Sequence, residues 1–218
     1  MPLPPSCLST QQHHTTLLAL QKDYSVALTT AKETSNWLPV KRLKAKIESQ
    51  KDLFKKELYP LELVTLTIGG MNVEKLEEAM DQANMQIDAY TKQHVLESKD
   101  SSTSKTKERI DLVRLTVEDL GFLKNATYEQ IVQRAKELGL ELCPAEVGPH
   151  YRLQYTDQPM NEWVYVGMRP ISGADGGSRV FRVERDDDGM WLSYGWADPT
   201  DVWFPSDQFL FRLRKSED

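Results

Sequence analysis

ELGLELCPAEVGPHYRLQY, residues 137–155, is the stretch on which the fold turns. A helical pattern stops at Gly139, and a cysteine and two prolines follow. HYRLQY (150–155) then alternates, with Tyr151, Leu153 and Tyr155 on one side and His150, Arg152 and Gln154 on the other. Alternation is the period of a strand. The sequence therefore predicts a change from helix to sheet after Pro144.

Downstream the alternation continues. EWVYVGMR (162–169), SRVFRVER (178–185), MWLSYGW (190–196) and DQFLFRLRK (207–215) read as further strands. TDQPMN and DDDG lie at hairpin positions between neighbours. Upstream, Thr127 with Gln130 three residues later forms a capping box for YEQIVQRAKEL, closed by Gly139. Thr116 with Asp119 is a near match to the same box and opens a helix that stops at Gly121. Residues 111–216 thus predict an α+β domain of two helices and an antiparallel sheet of about five strands.

The first half has the helical period. Leu17, Leu20, Tyr24, Leu28 and Ala31 recur at three- and four-residue steps, as do Leu43, Ile47, Phe54 and Leu58. Asn72 caps a third helix with Val73, Leu76, Met80, Ala83, Ile87 and Tyr90 on one face. Residues 1–13 predict a disordered tail, 14–96 a helical bundle, and the polar ESKDSSTSKTKER region, 97–110, a linker.

ATYEQIVQRAKELGLELCPAEVGPHYRLQY, EWVYVGMRPI, VFRVERDDDGMWL and FLFRLRK together resemble an uncharacterised bacterial C-terminal domain. The resemblance covers about residues 112–215, half of the chain. It implies a bacterial origin and a true domain boundary, and brings with it no activity, substrate or catalytic residue.

The 218 residues carry 27 Lys+Arg and 33 Asp+Glu, for a net charge of -6. Residues 1–110 hold 15 cations and 14 anions (+1), and residues 111–218 hold 12 and 19 (-7). An acidic second half argues against nonspecific nucleic-acid binding over that whole domain. Two cysteines, Cys7 and Cys143, make no disulfide framework, and a reducing cytoplasmic setting is expected. MPLPPSCLSTQQHHTT has neither the charged nor the apolar region of a secretory signal. No run approaches the roughly 18 apolar residues of a membrane span.

Four clusters carry candidate chemistry. Cys143 and His150 sit seven residues apart, with Glu146 between them as an orienting group for a nucleophilic thiol. Against that, a cysteine at a helix-to-strand corner packs as a small apolar residue. Asp186, Asp187 and Asp188 supply hard oxygen ligands, but lack the spacing of a calcium loop and suit a hairpin apex as well. Alternation places Arg152, Arg182, Arg212 and Arg214 on polar strand faces, which would make an arginine-lined sheet face for phosphates, carboxylates or an acidic partner. A solvated face with cross-strand Arg–Glu pairs is the plainer alternative. Trp163, Trp191, Trp196 and Trp203 concentrate in the same domain, where such residues commonly fill the core, although Trp196 and Trp203 lie in a loop, GWADPTDVWFP (195–205), suited to binding. In the first half, Lys41, Arg42, Lys44, Lys46, Lys51, Lys55 and Lys56 ring an amphipathic helix that fits nucleic acid, an anionic surface or an acidic protein.

No phosphate-binding loop, dinucleotide fingerprint or hydrolase motif occurs. The sequence therefore reads as a non-catalytic binding or regulatory protein. It would take a protein partner through the sheet face (His150, Arg152, Arg182, Arg212, Arg214) and the tryptophan loop. No cofactor, metal site or membrane span is expected, and homodimerisation through the helices is left open. Two alternatives stand beside this reading. One is an enzyme on a phosphate-bearing substrate or nucleic acid, with His150 as acid or base and the arginines as clamps. The other is nucleic-acid binding through the helix at 41–56.

Overall fold

A computed structural model of the chain describes residues 63–173 and 175–213, together with 19–20, 23, 26–27, 30, 38–39 and 41–47. The chain divides into two compact units, Met1–Glu62 and Leu63–Asp218. In the first unit the described residues are helical, including 41–47. The second unit is mostly sheet. Its strands are β1 (Leu63–Ile68), β2 (Gln86–Ile87), β3 (Glu108–Thr116), β4 (Ala126–Thr127), β5 (Leu140–Glu141), β6 (Glu162–Val166), β7 (Ile171–Ser172), β8 (Ser178–Asp186), β9 (Gly189–Trp196), β10 (Val202–Trp203) and β11 (Gln208–Leu213). Its α-helices are α1 (Val73–Gln82), α2 (Tyr128–Glu137) and α3 (Val147–Gln154), and a π-helical turn spans Thr91–Leu96.

Nine strands form one mixed sheet in the order β1-β3-β11-β6-β8-β9-β2, with β5 on β11 and β7 on β8. The pairs β11–β6 and β2–β9 are parallel, and the other pairs in the sheet are antiparallel. A separate two-stranded ribbon joins β10 to β4. The central strand β11 buries Phe209, Leu210 and Phe211 in succession, because layers cover both of its faces.

This architecture corrects the predicted fold class. Among the described residues no N-terminal helical bundle is evident, and the sheet is neither five-stranded nor purely antiparallel. The segment LELVTLTIGG supplies β1, which pairs along its length with β3. The predicted third helix is shorter than its periodicity suggests. Asn72 caps it through Lys75 N–H, and it ends where Asn84 takes a φ of 53°. The segment 97–110 leads into β3 within the same unit. Thr116 and Asp119 do exchange hydrogen bonds, Thr116 N to Asp119 Oδ2 at 2.9 Å and Asp119 N to Thr116 Oγ1 at 3.0 Å. They close a turn rather than open a helix. The Thr127 capping box forms as expected.

The largest correction is at HYRLQY. These residues end helix α3 instead of starting a strand. Six alternating residues do not separate a period of 2 from one of 3.6. Pro149 falls in the first turn of α3, where a missing N–H is harmless. Gly148 lets the helix lie on the sheet: a Cβ there would stand 2.6 Å from the Phe181 ring. Residues from Val147 through Arg152 are all buried, so no polar stripe marks the segment as a helix.

Candidate functional site

Strand register builds the site. Tyr165, Arg182 and Ser193 form one cross-strand row on β6, β8 and β9, and Trp163, Glu184 and Trp191 form the next. Directly paired residues share a face, so both rows lie on the same side of the sheet. They floor an open cleft of about 680 Å³. The segment following β9 supplies a wall of Val202, Trp203 and Phe204, and Asp88, just past β2, closes one side.

Arg182 organises the floor. Its Nε donates to Ser193 Oγ at 3.0 Å, its Nη2 meets Glu184 Oε2 at 2.9 Å, and its guanidinium lies 5.8 Å from the Trp163 ring centre. Trp203 anchors the wall. It is buried edge-on against Phe209 and Tyr165 and leans on Tyr128. The wall is also held by aspartates that accept from local backbone. Asp201 Oδ2 takes Asp198 N at 2.9 Å, Asp207 Oδ2 takes Phe204 N at 2.7 Å, and Asp198 Oδ1 takes Ser178 N at 2.7 Å. Burial raises the Asp207 carboxyl above the ordinary aspartate value, against the lowering effect of the Phe204 N–H. Trp163, at 51%, and Phe204, at 60%, stay exposed on this scaffold.

The arginine-lined face is not assembled. Arg152 belongs to α3 and is fully buried. Its Nη1 donates to Gln158 Oε1 and Glu184 O, and its Nη2 donates to Tyr155 O. Burial without a carboxylate partner pulls its guanidinium down to about 10. Arg212 follows Phe209 and Phe211 by odd steps on β11, and Phe209 pairs Tyr165, so Arg212 lies on the face opposite Arg182. There it bonds Glu108 at 2.8 Å. Arg214, Lys51 and Lys55 fall outside the described residues, while Lys41, Arg42, Lys44 and Lys46 lie on the helical segment 41–47.

Cys143 and His150 have separate partners. The buried Cys143 thiol donates to Leu210 O at 3.5 Å, and burial pushes it up to about 12. His150 Nε2 accepts from Gly69 N at 3.0 Å. Burial and the nearby Lys107 hold its imidazole below the ordinary value. Glu146 Oε2, 3.9 Å from that nitrogen, is taken by Ser104 N at 3.0 Å. His150 therefore ties α3 to the Gly69–Gly70 turn. Gly70 N also donates, to Ser104 O.

Asp186, Asp187 and Asp188 form the β8–β9 hairpin apex. Asp186 Oδ1 accepts from Asp188 N and from Trp191 Nε1. Among the described residues no group of three His, Cys, Asp or Glu side chains is placed to hold a metal ion. Among them, too, no helix is long and apolar enough to cross a membrane.

Two features of the site escape sequence reasoning. Trp203 reads as exposed in its loop but is core, and its neighbour Phe204 is exposed instead, as is Trp196. Arg179 carries no signal in the sequence. It is buried, bonded to Asp175, and packed 3.9 Å from the Trp196 ring centre and 4.2 Å from that of Tyr90. Compared with protein-family models, curated proteins and solved structures, the chain matches none, so these comparisons show neither a family nor a bacterial origin.

Proposed function

We propose that this protein is a binding module that recognises a protein partner through the cleft on the sheet face and performs no chemistry on it. One observation carries the reading. Of eight large apolar side chains left exposed among the described residues, Trp163, Val202 and Phe204 border this cleft, and Trp196 lines it with its ring turned to Arg179. Large apolar groups held in water at one place mark an interaction site, and tryptophan is enriched among residues that dominate interfaces. The wall is fixed by Trp203 and by the Asp198, Asp201 and Asp207 hydrogen bonds, so little ordering entropy is lost on binding. Arg182 adds a polar contact at the centre, with Glu184 aligning it.

The groups that a nucleophilic or acid–base mechanism would use, Cys143 and His150, are both buried and engaged by backbone. This favours binding over catalysis. A random peptide library displayed on phage tests the proposal. Selection runs on the full-length chain, with counter-selection on a Trp163→Ala, Phe204→Ala double variant. Peptides should be recovered that bind the wild type and lose the double variant. Recovery only of peptides that bind both alike, or of none, would overturn it.

A further inference from the structure

We infer that the partner enters this cleft as a cationic peptide segment, with an arginine or lysine side chain set between the aromatic wall and the aspartates. The inference rests on the binding reading above and names the chemistry of the partner.

Charge complementarity is the first support. Five carboxylates line the cleft, Asp88, Glu184, Asp186, Asp201 and Asp207, against one lining cation, Arg182. That cation is already paired with Glu184. The four aspartates come from three separate places: after β2, at the end of β8, and in the β9–β11 segment. No three of them are placed to converge on one metal ion, which leaves them to a donor-bearing chain.

The state of each carboxylate is the second. One oxygen is fixed by the fold in every case. Asp88 Oδ1 caps Thr91, Asp186 Oδ1 holds Trp191 Nε1, Asp201 Oδ2 holds Asp198 N, and Asp207 Oδ2 holds Phe204 N. The carboxylates are thus oriented in advance, and a carboxylate has further lone pairs for a second donor.

The cleft itself supplies the third. Its own arginine is seated by an aromatic ring on one side and a carboxylate on the other, Trp163 and Glu184. Cation–π contact and charge-assisted bonding are together the means by which proteins hold guanidinium and ammonium groups. Exposed Phe204 offers the same kind of surface to an incoming cation, whereas the Trp196 ring already carries Arg179.

Three acetylated, amidated nonapeptides in a Gly/Ser background test this on the full-length chain, one with three arginines, one with three glutamates and one with three leucines. Binding is read by tryptophan fluorescence and calorimetry. The arginine peptide should bind most tightly. It should weaken by about tenfold when salt rises from about 0.05 to about 0.5 M. The double variant Asp186→Asn, Asp201→Asn should weaken it by a further tenfold or so. Asparagine keeps an acceptor for Trp191 Nε1 and Asp198 N, so the variant should melt as the wild type does. Equal or tighter binding of the glutamate or leucine peptide overturns the inference, as does a variant that binds the arginine peptide unchanged. Failure of the arginine peptide, with acidic or apolar cleft-dependent peptides still recovered by display, removes the cationic partner and leaves the binding reading. Failure of every probe and of display removes both.

Discussion

Strand β8 separates two ways of holding arginine. On one face stand Arg179, Phe181, Val183 and Arg185, and α3 closes over Phe181 and brings Arg152 with it. On the other stand Arg182, Glu184 and Asp186, open to the cleft. The enclosed arginines act as connectors. Arg152 gathers Gln158, Tyr155 and Glu184, and Arg185 Nη1 donates to Gln158 O at 2.7 Å. Arg182 instead meets the Glu184 carboxylate and the hydroxyls of Ser193 and Tyr165, and keeps part of its surface in water. The same residue type thus stabilises the fold on one face and presents chemistry on the other. What distinguishes them is how much solvent the covering layer leaves.

Substitution on the enclosed face should break that contrast most visibly. Arg152→Met leaves Gln158 Oε1, Glu184 O and Tyr155 O without their donor in a buried site. The expected loss is about 1–3 kcal/mol, the scale of leaving buried neutral acceptors without their donor. Urea denaturation of the full-length variant measures it, and a loss below about 1 kcal/mol would mean that the network is not a connector. Next comes Gly148→Ala. The added methyl meets the Phe181 ring, and overpacking of this kind costs about 1–3 kcal/mol. An unchanged urea midpoint would show that α3 is free to slide on the sheet.

The two faces were also unequally legible in the sequence. The strands β6, β8, β9 and β11 fall inside predicted strand segments to within a residue, although β11 is buried on both faces. The four tryptophans were correctly assigned to this unit, and the Asp-rich turn to a hairpin. The enclosed face was not legible. Helix α3 is buried almost throughout, so its residues carry no amphipathic stripe, and HYRLQY imitates a strand. β1 carries the strand period, with Val64, Leu66 and Ile68 alternating with Thr65 and Thr67, but it goes unread between two helical segments. Its partner β3 lies 46 residues away at Thr65–Asp111, and pairing over such a separation leaves no local signal. The arginines are placed apart for two reasons: Arg152 lies on a helix, and Arg212 faces the other side of the sheet. Assigning Arg152 to a strand put it beside Arg182, when a layer of structure separates their roles.

A pH series sharpens the contrast with a smaller effect. His150 sits on the enclosed side, and its neutral Nε2 accepts the Gly69 N–H. Burial and Lys107 disfavour the charged form in the fold, so the unfolded chain takes up the proton first. Stability from this group is present above the ordinary imidazole value of about 6.5 and is lost as pH falls through the lower folded value. The melting temperature should therefore drop between pH 7.5 and 5.5, and His150→Gln should flatten that slope. An unaltered slope in the variant would assign the pH dependence to other groups.

Phe204→Ala should have the smallest effect on stability and the most informative one on function. Phe204 is 60% exposed, and its neighbour Trp203 does the anchoring through Tyr165, Phe209 and Tyr128. A surface truncation away from caps and cores shifts stability by about 0.5 kcal/mol or less. If the open face is an interface, the same truncation should weaken a cleft-selected peptide by about 2 kcal/mol, close to thirtyfold, as removal of an aromatic anchor does. Thermal melting and peptide titration on one sample give both numbers. A stability loss well above 1 kcal/mol would place Phe204 with Trp203 in the framework and move the enclosed boundary outward by one residue. Unchanged stability with unchanged peptide affinity would instead leave Trp163 and the aspartates to account for recognition, and would narrow the working part of the cleft to the two rows that Arg182 and Glu184 hold together.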